Sequence, residues 1–339
     1  MEMLLEPLES ECAWTGTRMR ADRRWIVDWP ASAIAAIEAA ASRLRDAGKV
    51  APFFTKADFA LPAVSGFLEQ VAREVTSGRG FVLLRGLPVA RWSDPTLRNV
   101  LWGLGLHWGR PVTQNRAGDA IAEITDRGLE AGKPGVKPSM TNAEQRPHSD
   151  PSDVVALLCV HGAKEGGASR IASSMAIYNR LLAECPREIA CLYRGFHHDL
   201  RGDATDEAPF GCTPVPIPVY RWYRGVLSCV FNATSVRTAQ QRMGREVPPH
   251  EMALLDRIVE LAHSPELCLE MVFEPGDIQL LNNHTVVHWR TGFVDHPEPA
   301  RRRRLYRLWL DRPGERAVDP AMQRGYITGS KAGLPVLTA

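Results

Sequence analysis

Short apolar segments bounded by glycine and proline constrain the fold of this chain most strongly. They are rich in valine, leucine, isoleucine and aromatic residues, which favour the pleated, half-buried surface of a sheet. The predicted strands cover 80–86, 154–160, 169–173, 267–273, 278–281 and 303–311, and a hairpin is predicted over 219–232. Short strands with few helices between them are typical of a sandwich or jelly roll and not of a parallel α/β sheet. We therefore predict a mainly β fold with flanking helices (α+β), built as a double-stranded β-helix, the cupin-like jelly-roll barrel.

Apolar residues at helical spacing are concentrated near the start of the chain. They predict helices over 31–47 and 60–77, and the cap and proline of Ser93-Asp94-Pro95 begin another. Two later helices are predicted at about 174–184 and 249–263. We expect the early helices to pack outside the sheet.

One domain over 1–339 is the predicted organisation of the chain. It divides into a helical N-terminal extension (1–79), a jelly-roll core (80–311) and a C-terminal tail (312–339). Residues 113–147 are polar, rich in glycine, lysine and proline, and lack sustained periodicity. So long an irregular segment is usually functional, and it runs directly into His148, which predicts a lid over a site.

Composition excludes several classes of protein. Lys plus Arg number 41 against 39 Asp plus Glu, so the net charge of +2 argues against a nucleic-acid binder. Seven scattered cysteines form no C-x-x-C pair, which favours reduced thiols and a cytoplasmic protein. Neither a signal peptide nor an apolar run of about 18 residues is present, so no membrane association is expected. Composition leaves monomer and homo-oligomer both open.

Two histidines and an aspartate form the candidate metal site. In His148-Ser149-Asp150 the outer side chains of an extended segment point to the same side, because strand side chains alternate. An imidazole and a carboxylate on one side can hold adjacent positions around a metal ion. His288 would complete a two-histidine, one-carboxylate face, which suits non-haem Fe(II).

A strand that begins with arginines supplies the second signal. Arg303, Leu305, Arg307 and Trp309 share one face of the segment 303–311. If that face is the core, an inward arginine needs an anion, and its planar fork suits a carboxylate. A dicarboxylate co-substrate would supply one.

Each of these residues also has a simpler explanation when taken alone. His148 would be a surface histidine, His288 a core histidine bonded to a carbonyl, Ser169 a strand-end hydroxyl, and 301–304 a solvated edge. The cysteine scatter offers no structural zinc site. These explanations do not account for the occurrence, in one order along the chain, of the H-x-D motif, the distant His288 and a strand that begins with arginines.

These residues give the chain a family resemblance. Over most of residues 80–311 it resembles the taurine dioxygenase family of Fe(II)- and 2-oxoglutarate-dependent oxygenases. His148-Ser149-Asp150 is similar to the H-x-D of that family, and His288 to its distal histidine. Gly166-Gly167-Ala168-Ser169 resembles its G-G-x-T segment with serine replacing threonine. Arg303 and Arg307 match the arginines that follow the distal histidine.

The resemblance implies an oxygenase that uses Fe(2+), 2-oxoglutarate and dioxygen and has no catalytic residue beyond the metal centre. It would hydroxylate an unactivated C–H of a small substrate, anionic or amino-acid-like, while 2-oxoglutarate becomes succinate. Ser169 and Arg303 would bind 2-oxoglutarate. Arg307 would bind 2-oxoglutarate or an anionic group of the substrate, and Asn142 and Gln145 are further candidate substrate contacts.

Two other functions remain compatible with the sequence. One is a non-catalytic jelly-roll binding or regulatory protein, which would need neither the metal triad nor the inward arginines. The other is a cupin-like metal-dependent hydrolase or isomerase, which would not consume 2-oxoglutarate. The substrate, the oxidised carbon and the choice among hydroxylation, desaturation and cyclisation are left open.

Overall fold

A computed structural model describes residues 2–115, 117–133, 136–202 and 208–322 of the chain. Part of the predicted tail, from 323 onward, lies outside the described residues. Within them the chain forms eight α-helices: α1 Gly16–Ala21, α2 Ala31–Asp46, α3 Ser65–Thr76, α4 Asp94–Trp108, α5 Ser174–Glu184, α6 Ala190–Arg194, α7 Ala233–Met243 and α8 Pro249–His263. The helices predicted from periodicity correspond to α2, α3, α4, α5 and α8.

Fourteen strands are formed in the same described part of the chain. They are β1 Ile26–Asp28, β2 Phe81–Arg85, β3 Arg110–Val112, β4 Ile121–Ile124, β5 Val154–His161, β6 Glu165–Gly166, β7 Ser169–Ser173, β8 Tyr220–Tyr223, β9 Val226–Cys229, β10 Leu269–Met271, β11 Ile278–Asn282, β12 Val286–Arg290, β13 Phe293–Val294 and β14 Arg304–Asp311. Every predicted strand is present, several of them shorter than expected, and the predicted hairpin is β8–β9.

Two sheets organise the molecule. The major sheet has the order β1-β2-β11-β5-β14-β3, with β4 also paired to β14, and the minor sheet has the order β10-β7-β12. All their pairings are antiparallel except the parallel pair β1–β2. The inner faces of the two sheets share one apolar cluster. The predicted jelly-roll architecture with flanking helices is confirmed, although among the described residues the sheets do not close into a hydrogen-bonded barrel.

Alternation along β14 separates the two faces of the major sheet. Tyr306, Leu308 and Leu310 are buried against the outer helical layer of α2, α3 and α4. Leu305 and Trp309 are buried on the inner side, in the clusters between the sheets. Burying each large apolar side chain contributes about 1.5–3 kcal/mol, so this register is strongly specified. The inner face therefore also receives Arg307, as its position in the alternation predicts.

The N-terminal segment contributes more than the predicted outer helices. Trp14, Met19 and Trp25 are buried with the inner residues of both sheets, and β1 extends the major sheet in parallel. Three aromatic or sulfur-containing side chains thus fill one part of the space between the sheets. No helix in the described residues is both long and apolar enough to cross a membrane.

Candidate metal centre

Backbone pairing between two distant segments brings the predicted histidines together. The amide of His148 donates to the carbonyl of His288 at 3.1 Å, and the amide of His288 donates back at 2.8 Å. His288 lies in β12, whose register on β7 places it opposite Ile171. The two imidazole centroids are therefore 4.5 Å apart.

Asp150 completes the cluster between the two imidazoles. Its carboxylate oxygens lie 3.9 Å from Nε2 of His148 and 3.6 Å from Nε2 of His288. All three candidate ligand atoms are within 4.8 Å of one another. Atoms that share a metal ion through bonds of about 2.0–2.2 Å are separated by about 3–4 Å, so these spacings fit one small divalent ion better than direct hydrogen bonds. The structure thus brings the three predicted ligands together.

The surroundings of the two histidines favour metal binding. Burial, with a smaller effect of His288, lowers the pKa of His148 to about 3, so its imidazole is neutral. Its Nδ1 lies 2.9 Å from the carbonyl of Arg146, which leaves Nε2 on the side of Asp150. Nδ1 of His288 is buried without a hydrogen-bond partner among the described residues. An imidazole whose other nitrogen is held by a backbone carbonyl, as in His148, is a good ligand for a transition metal.

The carboxylate of Asp150 is held as an anion. Burial raises its pKa, but Arg307 and His288 outweigh that effect and hold the pKa well below its usual range. Nη1 of Arg307 lies 3.3 Å from both carboxylate oxygens, and Nε1 of Trp309 donates at 2.9 Å. The Asp150 amide donates to Oδ1 of Asn283 at 2.9 Å. Trp309 and Asn283 were not predicted, although Trp309 shares the inward face with Arg307.

The guanidinium of Arg307 is bound to residues of the candidate metal centre and its surroundings. Besides Asp150, its Nε donates to Oε1 of Gln114 at 2.7 Å. Gln114 in turn donates to the carbonyls of Arg307 and Ala120. Arg307 therefore orients the carboxylate of the cluster, and its predicted contact with co-substrate or substrate stays a prediction.

Arg303 and Ser169 lie where the minor sheet approaches β14. Only 5% of Arg303 is exposed, yet its guanidinium makes no hydrogen bond or ion pair with the described residues. Its Nε is 3.1 Å from the place that a Cβ on Gly167 would occupy, so the glycine leaves it room. Burial lowers the pKa of Arg303 to about 10, and the group stays charged at neutral pH. Its Cζ lies 5.2 Å from the ring centroid of Phe293, a contact that satisfies none of its N–H groups. Burying these donors is costly, and a ligand carboxylate would offset that cost.

A glutamine that sequence reasoning missed fixes the predicted serine. Gln279 on β11 is fully buried, and its Nε2 donates to Oγ of Ser169 at 3.1 Å. The same amide nitrogen lies 2.8 Å from Sδ of Met271. The signal in the sequence was a single polar residue inside the apolar segment 278–281. The hydroxyl of Ser169 is therefore pre-oriented on the inner face.

Arg290 on β12 ties the segment before the metal motif to the sheet. Its guanidinium donates to the backbone carbonyls of Thr141, Asn142, Ala143 and Thr291. The side chain of Asn142 is exposed, and its role as a substrate contact stays a prediction. Sequence reasoning did not single out Arg290, because its partners are backbone atoms.

Replacing Arg290 with methionine should destabilise the segment 141–147. The change removes a charged donor and leaves several carbonyls without it, so we expect a loss of about 2–4 kcal/mol in the free energy of unfolding. Urea denaturation would measure the loss, and amide hydrogen exchange would localise it. Arg301→Met, at an exposed arginine with one long ion pair to Glu298 at 3.8 Å, is the matched control. Equal stability of the two variants would contradict this role.

A cavity of about 160 Å³, here called the triad cavity, opens beside the metal cluster. Its walls come from the segment before the motif, the loop after α6 and the start of α7. The lining includes Ser139, Gln145, His198, Arg201, Asn232 and Arg307. Among the predicted substrate contacts, Gln145 and Arg307 lie on this wall. His198, Arg201 and α7 were missed, since only proximity in the fold connects them to the motif.

Comparison with known proteins agrees with this geometry. A model of the taurine catabolism dioxygenase TauD, TfdA family matches residues 46–309. FR-33289 synthase from Streptomyces rubellomurinus is 30% identical over 320 residues, which are 92% of each chain. Asparagine oxygenase in complex with Fe(II), 2S,3S-3-hydroxyasparagine and succinate superposes with a TM-score of 0.64 at 16% identity, over 87% of this chain and 99% of that chain.

A second solved structure shares the fold. The non-heme iron oxygenase OrfP in complex with Fe and alpha-ketoglutaric acid gives a TM-score of 0.58 at 16% identity, over 84% of this chain and 93% of that chain. Facing sheets with a two-histidine, one-carboxylate cluster between them define the class of metal-dependent jelly-roll oxygenases. The chain belongs to the taurine catabolism dioxygenase TauD, TfdA family. It is an Fe(II)- and 2-oxoglutarate-dependent dioxygenase.

Proposed function

We propose that this enzyme hydroxylates a C–H bond of a small anionic or amino-acid-like molecule. One atom of dioxygen enters the product as a hydroxyl group, and the other enters succinate as 2-oxoglutarate loses carbon dioxide. The observation that carries the proposal is the triad cavity, which adjoins His148 and Asp150 and has Arg146 and Arg201 in its walls. Cationic walls beside an oxidising centre favour a substrate with an anionic group.

The roles of the site residues follow from their contacts. His148, Asp150 and His288 would hold Fe(II), which supplies the activation of dioxygen when bound. Arg303 would pair with the far carboxylate of 2-oxoglutarate, and Ser169 would donate to it. Arg307 and Trp309 would keep Asp150 oriented. The asparagine oxygenase complex holds a hydroxylated amino acid with succinate, which supports a similar substrate class here.

A turnover screen tests the proposal. Enzyme loaded anaerobically with Fe(II) would receive 2-oxoglutarate, air and one member of a panel of amino acids and small organic anions. We expect at least one compound to stimulate succinate formation and to gain one oxygen atom by mass spectrometry. Conversion of a compound without consumption of 2-oxoglutarate would favour a hydrolase or isomerase. Absence of both turnover and iron binding would favour a non-catalytic binding protein.

We further propose that part of 113–147 acts as a lid over the triad cavity. Pro138 and Ser139 already line that cavity, and the amide of Arg127 donates to the carbonyl of Met140 at 2.9 Å. Closure over bound substrate would exclude water from the reaction.

Limited proteolysis checks the lid. We expect trypsin to cut after the exposed Arg127 in the ligand-free enzyme, and more slowly with 2-oxoglutarate and substrate bound. Lys133 and Lys137 each precede proline and are poor trypsin sites. Cleavage after Arg224, in the β8–β9 turn, provides the internal reference. Identical rates at Arg127 in both states would identify an ordinary surface loop.

A further inference from the structure

We infer that the substrate's anionic end binds to a subsite formed by Arg201, His198 and the N-terminus of α7, and not to Arg307. This subsite, called here the α7 subsite, would accept a terminal oxyanion such as a carboxylate, sulfonate or phosphonate. The inference rests on the proposed function, because it places the recognition group within the same triad cavity. Two side chains of the loop after α6 and the N-terminus of α7 lie together there.

Arg201 provides the positive charge of the α7 subsite. It lines the triad cavity, and its electrostatic influence reaches both His148 and Asp150. Its Nη2 donates to Oδ1 of Asn232 at 3.3 Å, a long bond that aligns the guanidinium with the start of α7. No carboxylate among the described residues forms an ion pair with it. The guanidinium therefore retains donors for a ligand beside the metal cluster.

His198 provides a buried ring nitrogen that has no hydrogen-bond partner among the described residues. It is 3% exposed and lines the triad cavity, and its Nε2 has no hydrogen-bond partner within the described part of the chain. Its backbone is fixed on both sides by Thr213, which accepts from the His198 amide at 3.0 Å and donates to its carbonyl at 2.8 Å. A buried ring nitrogen without a partner costs free energy unless a ligand satisfies it.

The N-terminus of α7 provides the remaining donors. This helix spans 11 residues, and Oδ1 of its cap Asn232 accepts from the amide of Ser235 at 3.0 Å. The amides of Ala233 and Thr234 have no partner within the helix, and the helix dipole adds a partial positive charge there. Thr234 itself lines the triad cavity. Helix N-termini with adjacent cations are favourable anion sites.

The neighbouring acidic group, Asp199, offsets this charge only in part, because it also lies beside Arg242. Asp199 also lines the cavity, but its carboxylate lies 3.4 Å from Nε of Arg242 and accepts from the amide of Arg201 at 2.9 Å. Of the other arginines on the wall, Arg307 is held by Asp150 and Gln114, and Arg146 is exposed to solvent. Arg201 is therefore the better placed partner for a substrate anion.

Binding of simple oxyanions tests the α7 subsite. Calorimetric titrations would be made on Fe(II)-loaded enzyme saturated with 2-oxoglutarate under anaerobic conditions, with methylphosphonate, methanesulfonate and acetate as separate probes. We expect at least one probe to bind, and Arg201→Gln to weaken it about 10- to 100-fold through the loss of a charge-assisted contact. His198→Gln, which keeps a donor but shifts it, should weaken binding less.

Arg237→Gln is the matched control, because it also removes one arginine. Arg237 lies in α7 and pairs with Asp256, and neither residue lines the triad cavity. Circular dichroism would verify that the variants are folded. Failure of every probe to bind the wild-type enzyme, or unchanged affinity in both Arg201→Gln and His198→Gln, would overturn the inference. Because these titrations need no turnover, failure of the turnover screen alone would count against the proposed function and not against the α7 subsite.

Discussion

Replacing Asp150 with alanine is expected to abolish iron binding and to reduce turnover by a factor of about 1,000 or more. The carboxylate lies between Nε2 atoms at 3.6 and 3.9 Å, so its removal leaves only the two imidazoles as ligands. Two such ligands hold Fe(II) poorly, and Arg307 loses the anion that offsets its charge. Metal analysis after anaerobic loading should show about one iron per wild-type chain and little in the variant. The visible charge-transfer band formed with 2-oxoglutarate should disappear in parallel.

A second buried aspartate offers a control for simple loss of stability. Asp277 is 1% exposed and pairs with Arg85 at 2.9 Å, as Asp150 pairs with Arg307. Asp277→Ala should lower the free energy of unfolding while keeping full iron occupancy at low temperature. Full occupancy and turnover in Asp150→Ala would remove this residue from the metal site.

Replacing Arg303 with glutamine should raise the Michaelis constant for 2-oxoglutarate by about 30- to 1,000-fold. That range corresponds to the loss of about 2–4 kcal/mol from a charge-assisted pair in a sheltered site. The physical basis is the buried guanidinium, 5% exposed, which the described residues leave without a hydrogen bond or ion pair. Steady-state succinate formation at varied 2-oxoglutarate measures the effect, and iron occupancy should stay unchanged.

Arg307→Gln is the informative comparison, because Arg303 immediately precedes β14 and Arg307 lies within that strand. Arg307 contacts Asp150 and Gln114, so its loss should loosen iron by about 10- to 100-fold with a smaller effect on 2-oxoglutarate. If Arg307→Gln damaged 2-oxoglutarate binding as much as Arg303→Gln, the two arginines would share one ligand. The division of roles proposed here would then be wrong.

Local patterns in the sequence predicted five of the described helices, the main strands and the candidate metal ligands. Alternation along 303–311 correctly separated the outward Tyr306 from the inward Trp309, because strand side chains alternate whatever the neighbouring strand is. Gly166 and Gly167, both with positive φ, marked the turn before β7. The H-x-D motif and His288 predicted the metal ligands from residue types alone.

The helix α7 was missed because its sequence carries little hydrophobic signal. Only a few of its residues are buried, namely Ala233, Ser235, Val236 and Ala239. Packing of the neighbouring segments stabilises such a helix more than its own periodicity does. Its N-terminus nevertheless forms one wall of the triad cavity.

Only the tertiary structure shows which residues form hydrogen bonds and ion pairs with each site side chain. The sequence by itself determined that the chain carries strands, two histidines, an aspartate and inward arginines. It did not determine that Arg307 would face Asp150, that Arg303 would form no hydrogen bond or ion pair with the described residues, or that Arg290 would hold the carbonyls of 141–143. Those contacts join residues far apart in the chain, and they depend on strand register and loop packing. A one-residue shift of register would exchange the faces of β14, so local sequence patterns cannot specify these contacts.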